Sequence, residues 1–153
     1  MDADCLIKLT KAGLKEDICQ QYEIVIPAVV KKEVVDVGKI KGFPDAQLAE
    51  QNIQNGIIRV ADKGSLKHLK GDQALMEIFR QGGYDFVATD DAKLTRLLKS
   101  TGIRFILPGL LIYSLYQNEK IKQAVALRWI ETLSPFISED EYSMVKFLLG
   151  AKE

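Results

Sequence analysis

The stretch DFVATDD, residues 85–91, decides how this chain reads. Phe86, Val87, Ala88 and Thr89 make a short apolar strand that runs straight into two carboxylates, Asp90 and Asp91, where a helix is due to start. In that helix Leu94, Leu97 and Leu98 are expected to point inward. Lys93, Arg96 and Lys99 share another face, because residues three apart are neighbours on a helix. IRFIL, residues 103–107, follows as a strand. Working back, GDQALMEIFRQGG predicts a helix that opens at Gly71-Asp72 and stops at Gly82-Gly83. GIIRVAD, residues 56–62, reads as a strand, and FPDAQLAEQNIQN, residues 43–55, as a helix with Pro44 early in it.

Further out, residues 22–26 read as a buried strand. Pro27 suits the first turn of a helix in which Val29, Val30, Val34 and Val37 repeat at helical spacing, with Glu33 on the margin of that stripe. Residues 4–20 are expected to be mostly helical, broken at Gly13. Beyond Pro108 the chain turns wholly helical: PGLLIYSLYQNE, a long segment through Trp129, and a last helix with Tyr142, Val145, Phe147, Leu148 and Leu149 on its apolar side. Strand and helix alternate through the middle, which predicts an α/β fold built on a parallel sheet with helices on both faces.

Acidic residues stand where strands or loops give way to helices: Asp2, Glu33, Asp72, and the pair Asp90 and Asp91. Such junctions converge on one edge of a parallel sheet, where open α/β folds bind ligands. Gathered carboxylates repel by about 3 kcal/mol per pair at roughly 5 Å and an effective dielectric of about 20, so the cluster calls for a cation. Oxygen ligands suit Mg²⁺ or Mn²⁺, and with one histidine (His68) and two cysteines (Cys5, Cys19) zinc chemistry is poorly supplied. The same scarcity argues against Ser-His-Asp or Cys-His catalysis. His68, in the lysine-rich SLKHLK, reads as a surface or packing residue, and both thiols as reduced packing residues.

The chain has 153 residues and is 47% hydrophobic, enough for one well-filled core, so a single domain over 1–153 is expected. Lys plus Arg equals Asp plus Glu at 21 each, and any nucleic-acid contact must come from a local basic patch. No apolar run has membrane-spanning length and no basic start leads into a signal-peptide core, so the protein reads as cytoplasmic.

In order and spacing, Asp2 in DADCLIKL, Glu33 in VVKKEVVD, Asp72 in GDQALMEIF and Asp91 in ATDDAKL resemble the acidic signature of the PIN domains. The resemblance covers residues 1–112, with the helices of 113–153 matching in general character only. It implies a parallel-sheet three-layer sandwich with a helical C-terminal region, and a metal-dependent nuclease acting on RNA. Asp2, Asp72 and Asp91 would then be metal ligands, directly or through water, with Glu33 completing a catalytic set of Asp2, Glu33, Asp72 and Asp91. Asp90 would neighbour or replace Asp91 at the metal, and Asp4 would orient Asp2 or a metal-bound water. Lys93, Arg96 and Lys99 would contact the substrate backbone. VapC-type toxins of this family are held by an antitoxin protein, and many members dimerise, so RNA, an antitoxin and a second copy are the implied partners.

One departure has a structural consequence. The family carries a full apolar strand before its first Asp, in the middle of the sheet, whereas only Met1 precedes Asp2 here. The first strand is expected to be missing or truncated.

Each acid also has an ordinary reading. Asp72 and Asp90 suit the first turn of a helix, Asp4 and Asp91 suit N-caps, and Glu33 and Asp36 suit a solvated face. Lys93, Arg96 and Lys99 suit a solvated face as well. Two other functions compete. DADCL resembles the opening of haloacid-dehalogenase-like phosphatases, in which the first Asp is a nucleophile, but Cys5-Leu6 stands where those enzymes have a small residue and Thr or Val. The other is a non-catalytic PIN module that binds RNA or protein, against which the presence of all four acids argues.

Overall fold

Ile24, Val25 and Ile26 are branched at Cβ, fit a pleated backbone, and are buried as β1 (Ile24–Pro27). The computed structural model describes residues 1–37, 53, 56–61 and 69–150, with backbone alone at 36 and 37. The helix expected over 43–55 and the residue His68 lie outside the described residues.

Before β1 come α1 (Ala3–Lys11) and α2 (Lys15–Cys19). The Asp2 carboxylate caps α1 by accepting the Cys5 N–H at 2.8 Å. The helix stops where Gly13 takes φ +71° and the Leu14 N–H reaches back to Leu9 O at 2.9 Å. Pro27 then caps the short α3 (Ala28–Lys31), which widens into a π-helical turn, Lys32–Val37. The valine spacing predicts one continuous α-helix here. The π turn shifts the register, so Val30, Val34 and Val35 are buried while Glu33 is exposed.

β2 (Ile58–Ala61) pairs with β1 in parallel, Ile24 opposite Ile58. Next come α4 (Gly71–Arg80), β3 (Val87–Ala88), α5 (Ala92–Ser100) and β4 (Phe105–Ile106). β4 pairs with β3 in parallel, Val87 opposite Phe105. The chain ends in α6 (Pro108–Gln117), α7 (Gln123–Leu133), a 3₁₀ turn (Ser134–Phe136) and α8 (Glu139–Leu148).

The three-layer parallel-sheet sandwich is corrected. The described residues are mostly helical and carry two separate two-stranded parallel sheets, β1-β2 and β3-β4. Among the described residues, Met1 and Asp2 stand between β1 and β3: their nitrogens bond to Val25 O (3.2 Å) and Ala88 O (3.0 Å), and two residues are too few to carry a ladder from one sheet to the other.

The core divides the same way. A large cluster joins α1, α2, β1, β2 and the C-terminal helices through residues such as Leu6, Leu9, Ile26, Ile58, Leu111 and Ile130. A small one holds Leu75, Met76, Val87, Leu94, Leu98 and Ile103. Two amphipathic readings also need correction. Leu97 is 41% exposed, and at the end of α8 Phe147 is 81% exposed, with Leu148 also facing solvent, so Val145 and Leu149 alone are deeply buried there.

Candidate active site

Thr89 follows β3 and is fully buried. Its hydroxyl donates to Asp2 Oδ2 and accepts the Asp91 N–H at 3.1 Å, tying the start of the chain to the loop that opens α5. Asp2 is buried with both carboxylate oxygens engaged, Oδ1 by the Cys5 N–H and Oδ2 by Thr89. Burial dominates its chemistry: desolvation pushes the carboxyl up to about 6, against the two hydrogen bonds and the Met1 amino group, which favour the charge. Asp91 caps α5, Oδ1 accepting the Leu94 N–H at 2.7 Å. The capping reading therefore holds for Asp91, and at α1 the cap is Asp2, with Asp4 an exposed acid of the first turn.

Around these junctions the other acids gather. Glu33 projects from the π turn so that Oε1 lies 3.3 Å from where a Cβ on Gly71 would be, over the first turn of α4 and beside Asp72. Its carboxyl is raised by burial and by the charges of Asp72 and Asp4. Asp72 is raised by burial and by Asp91 and Asp4, and Lys93 works against that rise. Asp4, Glu33, Asp72 and Asp91, from four distant parts of the sequence, thus form one electrostatically coupled patch, with Asp2 coupled to it through Asp4.

Asp90 faces elsewhere. Its Oδ2 meets Lys8 Nζ at 2.5 Å with the carboxylate almost buried. Beside this pair lies Glu141, a buried carboxylate from α8 whose Oε1 accepts the Gly109 N–H at 2.8 Å. Burial raises the Glu141 carboxyl, with Asp90 adding to the rise and Gly109 and Lys8 opposing it. A side chain at Gly109 would meet Glu141 Oε1 at 3.1 Å and Val145 at 3.0 Å, so glycine lets α8 close over the start of α6.

Sequence reasoning missed Lys8, Thr89 and Glu141. Thr89 had a signal, being the one polar residue at the end of an apolar strand. Glu141 stands three residues after Ser138, a spacing that reads as a capping box. The Ser138 hydroxyl does accept the Glu141 N–H at 3.1 Å, but the glutamate side chain goes to another helix.

Of the basic stripe, Lys93, Arg96 and Lys99 are all exposed. Lys93 reaches Asp72 electrostatically, whereas the Lys99 ammonium lies over the Phe105 ring at 5.8 Å and Arg96 Nε bonds to Ala92 O at 3.2 Å. Cys5 and Cys19 are both buried and free, as expected of packing residues.

The donor set is hard oxygen, which fits Mg²⁺ or Mn²⁺. Among the described residues no three Asp, Glu, His or Cys side chains stand close enough to hold one ion by themselves. No family model, no curated protein and no solved structure matches this chain. Among the described residues no helix is long and apolar enough to cross a membrane.

Proposed function

We propose that this chain is a metal-dependent ribonuclease that hydrolyses RNA phosphodiester bonds at the carboxylate patch, as its resemblance to PIN domains implies. The observation that carries this reading is that Glu33 Oε1 lies over the first turn of α4, where the charges of Glu33, Asp72, Asp91 and Asp4 act on one another and Lys93 opposes them. Asp72 and Asp91 would hold Mg²⁺ or Mn²⁺, with Glu33 and Asp4 engaging its waters and Asp2 backing the loop through Thr89. A bound ion supplies an activated water and offsets charge building on the phosphate and the leaving oxygen. Lys93 gives the phosphate backbone a cationic contact beside the acids. In the same proposal the activity belongs to a toxin. Expressing the chain would then arrest growth, and the product of a small adjacent gene would relieve the arrest.

The test is cleavage of single-stranded RNA with Mg²⁺ or Mn²⁺. EDTA should abolish it, and Asp72→Asn should reduce it by at least ~100-fold with the fold retained. Cleavage undiminished by EDTA sinks the proposal. A second reading, a module that binds RNA or protein without cutting, is favoured by the lack of three converging metal ligands among the described residues. RNA binding with no cleavage under any divalent ion would decide for it. The phosphatase reading is weakened because Asp2, its would-be nucleophile, is buried with both oxygens bonded.

A further inference from the structure

Asp90 and Asp91 are identical carboxylates on adjacent residues, and the fold sends them to opposite neighbours. Asp91 caps α5 and acts on Asp72. Asp90 turns to α1, where its Oδ2 meets Lys8 Nζ at 2.5 Å with the carboxylate almost buried. α1 therefore holds the loop after β3 at two points. Its cap, Asp2, takes the Thr89 hydroxyl, and Lys8, about 9 Å further along the helix axis, takes Asp90. A lysine at that distance can reach back, because Cα–Cβ bonds on a helix tilt toward its N-terminus and the aliphatic stem lies along apolar surface. Asp91, whose N–H bonds to the Thr89 hydroxyl at 3.1 Å, follows directly on the second anchor. A third charge joins this node. Glu141, buried on α8 and bonded through Oε1 to the Gly109 N–H, acts on both Lys8 and Asp90. With the ammonium in place, one cation serves two carboxylates. Without it, Asp90 and Glu141 would be like charges held away from water, an arrangement that relieves itself by movement. Glu141 is fixed on a helix by its bond to Gly109, whereas Asp90 sits on a loop, so Asp90 is the one to leave. Its departure would turn the peptide that joins it to Asp91, and the α5 cap with it.

We propose that Lys8 is a positioning residue for the metal site: it holds Asp90 against α1, so that of the adjacent pair Asp91 alone is presented to the cation. Resting on the ribonuclease reading, this role has Lys8 touch neither RNA nor metal and act through Asp90 on the loop.

Steady-state cleavage of single-stranded RNA with Mn²⁺ is compared for the full chain, Lys8→Met, Lys8→Arg and the double variant Lys8→Met/Asp90→Asn. Lys8→Met should lose on the order of 10–100-fold in kcat, the usual effect of removing a partner from behind a metal ligand, with KM for RNA unchanged. Lys8→Arg should restore most of the kcat. So should the double variant, because an uncharged Asn at position 90 is not driven from its place. Amide exchange at Asp91 and Leu94 should quicken in Lys8→Met and return to the parent's rates in both rescued variants, an effect read without metal or RNA. A loss in KM instead of kcat makes Lys8 a substrate contact and overturns the proposal. So does a double variant as weak as Lys8→Met, or exchange at Asp91 that Lys8→Met leaves unchanged. A parent that cleaves no RNA sinks the ribonuclease reading and this role with it, whereas a parent that cleaves and a Lys8→Met variant that keeps its kcat sink the role alone. Should Lys8→Met fail to fold, Lys8→Gln, which keeps a donor for Asp90, should lose kcat in the same direction, and the parent's kcat there overturns the proposal.

Discussion

At the residue scale Asp2 is under electrostatic tension. It is a helix cap and a hydrogen-bond acceptor, roles that favour its charge, yet desolvation outweighs both and its carboxyl is held at about 6 against an ordinary 3.8. The sign follows from proton counting. Between these values the folded chain binds the proton and the unfolded chain does not, so the charge of Asp2 works against folding as pH rises through that window, and fully so above 6. At about 1.4 kcal/mol per pH unit the effect reaches about 3 kcal/mol. Asp2→Asn keeps an oxygen for the Cys5 N–H and removes the charge. In metal-free buffer it should be more stable than the parent by about 2 kcal/mol at pH 7, with the gap closing towards pH 4. Denaturant titrations across that range measure the gap. A gap that does not change with pH would mean that the buried charge is not what strains this position. Asp72 and Glu33, raised by burial and each other's neighbours, should follow the same direction to a smaller extent.

Elements, more than single residues, set which charges stand beside the acidic patch. α5 begins at Asp91 and holds Leu94 and Leu98 in the small core, which leaves Lys93, Arg96 and Lys99 in solvent. Because their helix starts at the acidic patch, they offer a positive surface in a chain whose formal net charge is zero. Replacing all three with Gln should weaken RNA binding about equally for unrelated sequences and flatten its dependence on salt, because backbone contacts release counterions and read no bases. Lys93→Gln should account for most of the loss, since Lys93 is the member coupled to Asp72 and the Lys99 ammonium is turned to Phe105. Filter binding at several salt concentrations reads both quantities. An unaltered slope in the triple variant would leave the stripe an ordinary solvated face. The same helix shows why amphipathic reading overreached at Leu97: three leucines at positions 94, 97 and 98 span more arc than the narrow contact with β3 and α4 covers.

For the whole molecule, a cation at the patch would act on stability as well as on chemistry. Ligands that bind only the folded state stabilise it by about 2.7 kcal/mol at a hundredfold excess over Kd. For a domain of this size that corresponds to roughly 5–10 °C in melting temperature. Mn²⁺ should therefore raise the midpoint of the parent chain, while Asp72→Asn should start higher without metal and gain little from it. Identical metal responses in the two proteins would remove Asp72 from the binding patch. Most helices, the four strands and their parallel pairing were legible in the sequence, because apolar period, glycine stops and proline starts are local signals. So was the polarity of the site, since hydrogen-bonding acids at helix starts are a local preference that also places carboxylates at strand ends. What tertiary structure alone decided was whether those pieces join. Among the described residues the two sheets stay apart with just Met1 and Asp2 between their edges, and no property of either strand pair announces what lies beside it. It likewise decided the partition of the acids: Asp90 turns to Lys8 while its neighbour Asp91 caps a helix facing Asp72, a choice between adjacent side chains set by what packs from α1 and α4.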